Sequence, residues 1–302
     1  MPRLYAGIDG GGTKTLAVVV DEAGRERGRA VARGSNLAVV GVEAAAGEIA
    51  TALRQAVEQA GATLPITAVW LGLAGVEHAG TRDLMFPHLH AMAGEVRLGN
   101  DAELVLTALP GATGVAVIGG TGSICLGRDP NGKSYRTGGW GHIIGDEGSG
   151  YELGQRALQA ASRVADGRGP ETALLDAIVR HWDLATPWQM IERVYLHSDK
   201  AVIAALSSLV FDAAREGDAV AHRILSEAAA ELAIAAVAVA ANLDFDGEPF
   251  SLALAGGLLI HEAKFRQMVV RRIRRRRSVG TVAVVTDAAL SAARAAIGMG
   301  QP

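Results

Sequence analysis

The stretch IDGGGTKTLAVVV (residues 8–20) is an apolar strand, a glycine turn, a threonine and a second apolar strand. VAVIGGTGSICLG (115–127) repeats that order. Each is followed by a turn and a third strand, RGRAVARG (27–34) in the first case and KSYRTG (133–138) in the second. A repeat on a scale of about 110 residues restricts the chain to two related halves, each opening on a glycine-turned hairpin. On pattern alone, a coincidence of two such hairpins stays open. The core of either half must be aliphatic, because apolar residues make up 49% of the chain and aromatics only 4%.

Around the hairpins, strands alternate with helices. Strands are expected at 4–9, 15–24, 27–34 and 66–75, and at VRLG (96–99). Helices are expected at 42–61, closed by Gly61, at 80–92, and at Ala102–Leu109. A domain boundary falls near Pro110-Gly111. Beyond it come helices at 150–166, 171–182, 199–216 and 218–242, and a strand at 250–256. A Gly-Gly turn, a helix, a strand TVAVVT (281–286) and a final helix from Ala288 complete the chain. The alternation predicts an α/β layered fold.

The net charge of −3 points to neither nucleic acid nor an anionic membrane as partner. Cys125 is the single cysteine, which rules out an internal disulfide and a cysteine zinc site. The N-terminus reaches glycines too early for a signal peptide. LAIAAVAVAA (232–241) is short for a bilayer and reads as a buried helix. A cytoplasmic protein is expected. The basic run RRIRRRR (271–277) reads as a solvated helix end, where arginine suits the helix dipole.

GRDPNGKS (127–134) matches the P-loop pattern letter for letter, but its context fails. A P-loop needs a helix after Lys-Ser, and here six glycines fall in the next sixteen residues. Asp-Pro-Asn-Gly is turn chemistry, so the segment reads as a β-hairpin turn. The glycines suited to phosphate are those of the two repeated turns. There, backbone N–H groups and a threonine hydroxyl can point at an anion.

IDGGGTKT, GND (99–101), GGTGS (119–123), GGWGHIIGDEGSGYELG (138–154) and LALAGGLL (252–259) occur in this order over nearly the whole chain. With these motifs the sequence resembles the N-acetylglucosamine kinase family. That family is grouped with the ATPase activators of benzoyl-CoA reductase and 2-hydroxyacyl-CoA dehydratases, in the sugar kinase, heat-shock chaperone and actin superfamily. The resemblance implies two ribonuclease-H-like domains, 1–110 completed by a C-terminal helix at about 287–302, and 111–286, with an interdomain cleft for ATP and sugar. It implies a homodimer and the cofactors ATP and Mg²⁺. It also implies roles. Asp9 would hold Mg²⁺ through water. Gly11, Gly12, Thr13, Lys14, Thr121, Gly122, Gly256 and Gly257 would bind ATP. Asn36, Asp101, Ser123, Gly139, Trp140, Gly141 and Asp146 would bind an amino sugar, with Asp101 as general base. Phosphoryl transfer to a hydroxyl asks for just such a set: phosphate donors, a metal and one carboxylate near the acceptor.

Each residue alone has a plainer reading. Asp101 and Asp146 suit helix caps. Asp9 and Asn36 suit turns. Thr13 and Thr121 suit strands, and Gly256-Gly257 suits a bare turn. Among functions, the expectation is a kinase for the 6-hydroxyl of N-acetylglucosamine or glucosamine. An activator would share one iron–sulfur cluster between two subunits, which needs two cysteines per chain, and this chain has one. A sugar-responsive repressor would need a DNA-binding extension before the first strand, which begins at about residue 4. The zinc-binding cysteines of the other large bacterial sugar-kinase group are also missing. Position 124 is Ile, where animal members of the family carry Asn after GTGS, so acetylated and free amino sugars, and N-acetylmuramic acid, stay open as substrates.

Overall fold

β1 (Leu4–Gly10) is the middle strand of a five-stranded sheet, and its apolar residues are buried. β2 (Lys14–Asp21) and β3 (Glu26–Arg33) add antiparallel on one side. β4 (Ile66–Leu73) and β5 (Ala93–Gly99) add parallel on the other. The order is β3-β2-β1-β4-β5. Parallel neighbours need crossovers, and α1 (Leu37–Gln59) and α2 (Thr81–His90) supply them. This computed structural model describes residues 3–76 and 80–299.

A second sheet is built from β6 (Gly114–Gly119), β7 (Ser123–Arg128), β8 (Ser134–Gly138), β9 (Phe250–Ala255) and β10 (Val279–Val284). Its order is β10-β9-β6-β7-β8. From the other edge that is 8-7-6-9-10, the first sheet's sequence of positions again, with β9 parallel to both β6 and β10. The repeat therefore extends to whole sheets, beyond what two chance hairpins would produce. Residues up to Gly114, together with those from Val285 on, form one compact unit; Val115–Val284 form the other.

The second unit carries most of the helices: α3 (Gly150–Ala165), α4 (Leu174–His181), α5 (Gln189–His197), α6 (Lys200–Ala205), α7 (Ser207–Arg215), α8 (Ala219–Ala241), α9 (Gly257–His261) and α10 (Ala263–Arg274). α8 is long and apolar enough to cross a membrane by length and composition. Its Ile224, Ala228, Leu232 and Ala236 row is nonetheless buried in this unit's core, at the spacing of one helix face. α11 (Ala288–Ala296) belongs to the first unit and lies directly on β1. A Cβ on Gly7 would sit 2.0 Å from the Ala289 carbonyl oxygen, and α11 buries Ala289, Ala292, Ala293 and Ala296. Small residues on both sides let helix and strand approach closely, which is how a core poor in aromatics is filled.

Several elements differ from expectation. α1 starts at Leu37 and bends at Gly41 (φ 77°), whereas the apolar period begins at 42. Asp101–Ala108 is a 3₁₀ helix and not an α-helix. The single helix expected at 199–216 is two, α6 and α7, meeting at Leu206. α5 has no counterpart among the expected helices. GRDPNGKS is a hairpin turn between β7 and β8: Asp129 N–H donates to the Lys133 carbonyl (3.0 Å), and Gly132 turns at φ +84°. Its lysine, Lys133, donates to the Asn242 carbonyl at the end of α8 (2.8 Å), a structural task.

Candidate active site

In the first unit the carboxyl ends of the parallel strands carry the acidic residues. This is the edge where open α/β sheets bind ligands. Asp9 lies near the end of β1, opposite Gly72 on β4. Asp101 follows β5. Burial, then the Asp101 charge, push the Asp9 carboxyl up from 3.8 to about 6; Lys14 opposes the shift and Asp287 adds to it. Asp287 lies outside the five sequence motifs. It caps α11, accepting from Leu290 N–H (2.8 Å), and pairs with Arg29 (2.6 Å). Its only signal in sequence is an Asp before an alanine-rich helix.

The plain reading of Asp101 as a cap is displaced by its neighbour. Asn100 is the cap, in a capping box with Glu103. Asp101 occupies the first helical position, half-buried, with Oδ1 accepting the Ala102 N–H (2.9 Å). Asn36 does cap α1, its Oδ1 accepting from Ala38 N–H (3.0 Å). Gly12, Thr13 and Lys14 form the exposed tip of the β1–β2 turn. The base of that turn is fixed by Gly11 N–H to the Lys14 carbonyl and Ser35 N–H to the Gly11 carbonyl, both 3.0 Å. A Cβ on Gly34 would stand 2.2 Å from the Gly12 carbonyl oxygen, so glycine is required where the chain passes behind the tip.

In the second unit the β6–β7 turn is tied to two other segments. Gly150 N–H donates to the Gly120 carbonyl (2.8 Å) and Tyr151 N–H to the Thr121 carbonyl (3.2 Å), joining the turn to the start of α3. Gly256, at φ +86°, packs so closely that a Cβ there would meet the Gly119 carbonyl oxygen at 2.4 Å. Thr121, Gly122, Gly256 and Gly257 are thus brought together. Thr121 is exposed.

Asp146 is not the cap of α3. That place is taken by Ser149, whose Oγ accepts from Glu152 N–H (3.2 Å). Asp146 is buried at φ +64°. Its Oδ1 accepts from Ser123 N–H (3.1 Å), and its Oδ2 accepts from Lys200 Nζ (2.6 Å). Ser123 Oγ donates to the Glu147 carbonyl (2.7 Å). Ser123 and Asp146 are therefore in one network, which Lys200 joins. Gly139 and Gly141 both take positive φ in the exposed turn that presents Trp140. Ile124 lies beneath that turn, its Cδ1 at 2.8 Å from where a Gly139 Cβ would be. Among the described residues no group of three His, Cys, Asp or Glu could hold a metal ion. Cys125 is fully buried, and burial pushes its thiol up to about 12.

The model of the BadF/BadG/BcrA/BcrD ATPase family matches residues 6–295. The chain belongs to that family. Its relatives include an N-acetyl-D-glucosamine kinase of Dictyostelium discoideum, 31% identical over 90% of this chain and 90% of the relative. A glucosamine kinase of Vibrio cholerae is 32% identical over 78% of this chain and 80% of the relative. An N-acetylmuramic acid/N-acetylglucosamine kinase of Clostridium acetobutylicum is 38% identical, a match that spans 64% of either protein. Among solved structures, a candidate N-acetylglucosamine kinase of Chromobacterium violaceum superposes with a TM-score of 0.75 at 28% identity, over 99% of both chains. The BadF/BadG/BcrA/BcrD match covers both sheets and both glycine–threonine turns.

Proposed function

We propose that this chain is an ATP-dependent kinase that phosphorylates the 6-hydroxyl of a hexosamine, N-acetylglucosamine or glucosamine. Kinases of these sugars among its relatives support the substrate class. The observation that carries the reading is the pair of glycine–threonine turns at equivalent places in two like sheets, with Asp9 and Asp101 beside the first.

In this reading the backbone N–H groups of Gly11–Lys14 and of Thr121–Gly122, with the hydroxyls of Thr13 and Thr121, hold ATP phosphates, while Gly256 and Gly257 leave room for the nucleoside. Asn36, Ser123, Asp146 and the Gly139–Gly141 backbone, with Trp140, orient the sugar. Asp101 accepts the proton of the 6-hydroxyl as its oxygen bonds to the γ-phosphorus and the bond to the ADP oxygen breaks. The donor set suits magnesium, a hard cation held by one or two carboxylates plus water and phosphate. Asp9 would hold it through water, and the ion supplies charge neutralisation at the phosphates. The buried Cys125 speaks against an electron-donating activator.

The test is ADP release from ATP and magnesium with glucose, glucosamine, N-acetylglucosamine, N-acetylmannosamine and N-acetylmuramic acid. Strong stimulation by one amino sugar is expected. Hydrolysis indifferent to every sugar would remove the kinase reading.

The chain also works as a homodimer in this reading, and we assign the contact to α5 and its cap, where Trp188, Ile191, Tyr195 and Leu196 are all exposed. Exposed apolar clusters of this kind mark interaction surfaces. Light scattering should give twice the chain mass of 31.2 kDa, falling to one chain in Ile191→Glu/Tyr195→Glu. A monomeric parent would refute the assignment.

A further inference from the structure

Lys200 lies 54 residues from Asp146 in sequence, yet its Nζ stands 2.6 Å from Asp146 Oδ2. The two side chains differ in exposure, 32% for the lysine and 4% for the aspartate, so the ammonium reaches in from the solvent edge to a buried carboxylate. The fold fixes this meeting. α6 crosses α3 so tightly that a Cβ on Gly154 would lie 1.9 Å from the Ile203 carbonyl oxygen, and Lys200 is one turn before that contact. On the far side Gly122 closes the space: a Cβ there would lie 2.9 Å from Lys200 Nζ and 3.0 Å from each Asp146 oxygen. The pair is therefore held between the β6–β7 turn and the start of α6.

An ionised carboxylate offers about four lone-pair positions. Ser123 N–H and Lys200 Nζ take one on each oxygen. Two of the four are then taken by the protein itself. A carboxylate this buried is oriented by the groups that pair with it, and Asp146 adds the left-handed backbone that a side chain seldom adopts. We propose that Lys200 is a positioning residue for substrate: it holds the Asp146 carboxylate in the orientation in which it accepts hydrogen bonds from the amino sugar. The inference rests on the reading above that Asp146 binds the sugar.

A double-mutant cycle on the full chain tests it, with KM and kcat measured for N-acetylglucosamine, glucosamine and ATP. Removing a hydrogen-bonding charge weakens a contact about tenfold to hundredfold. Lys200→Met is therefore expected to raise the KM for the sugar by about tenfold or more, with the KM for ATP within about twofold of the parent. Asp146→Asn raises the sugar KM likewise. The double variant should match Asp146→Asn alone, because a lysine acting through Asp146 has nothing left to position. The double variant leaves no unpaired charge buried, so it can be measured even if Lys200→Met folds poorly, and a sugar KM above that of Asp146→Asn would then overturn the inference. An elevated sugar KM in Asp146→Asn with a parental one in Lys200→Met would overturn the inference, as would losses that multiply in the double variant. An unchanged sugar KM in Asp146→Asn would instead remove Asp146 from the sugar site, and the role of Lys200 with it.

Discussion

Asp101→Asn is expected to lower kcat for sugar phosphorylation by about 10²–10⁴-fold, the usual contribution of a positioned general base, while ATP binding stays at the parental level. Asn keeps the shape of the side chain, and its carbonyl oxygen can still accept the Ala102 N–H that Asp101 Oδ1 accepts now. The 3₁₀ helix does not depend on the charge, since Asn100 and Glu103 form its capping box. What Asn cannot do is take a proton. The loss should therefore appear in kcat with calorimetric ATP affinity in place, and thermal stability near neutral pH should be no lower than the parent's, since the charge that repels Asp9 is gone. A variant turning over within a few fold of the parent would take Asp101 out of the chemistry and leave it as a neighbour of Asp9.

Strand–glycine–strand signals are local, so the hairpins at Gly10–Gly12 and Gly119–Gly122 could be read directly from sequence, and the shared strand order follows from the repeat. The false P-loop was equally legible, because Asp-Pro-Asn-Gly dictates a turn whatever follows it. Helix boundaries were harder. α5 has no side-chain cap at Trp188 and turns apolar residues outward, so neither the start signal nor an inward stripe marks it. The split at Leu206 and the 3₁₀ geometry after Asn100 are set by packing, which local propensity does not report. For the site, motif order picked out Asp9, Asp101, Ser123 and Asp146. Asp287 and Lys200 were out of reach, because what matters about each is a contact across the fold: Asp287 with Arg29 across 258 residues, and Lys200 with Asp146 across 54.

Asp9→Asn should be inactive and, near neutral pH, more stable than the parent. The Asp9 carboxyl is raised from 3.8 to about 6 in the folded chain, first by burial and then by Asp101. Between those two values the native state holds a proton that the unfolded state has released, so stability falls as pH rises through that window. Above about pH 6 the folded chain carries the full cost of a buried, repelled carboxylate, on the order of 1–3 kcal/mol. Asparagine does not ionise and escapes that cost. In the absence of nucleotide and metal, the variant's unfolding midpoint should exceed the parent's at pH 7.5, and the gap should close toward pH 4, where Asp9 is protonated in the fold. Adding ATP and magnesium should then raise the parent's midpoint more than the variant's, because a ligand stabilises only the state that binds it and Asp9 is the residue assigned to the cation. A variant less stable than the parent at pH 7.5, or a gap that does not change with pH, would show that Asp9 is not a carboxylate held at a cost for a cation to offset.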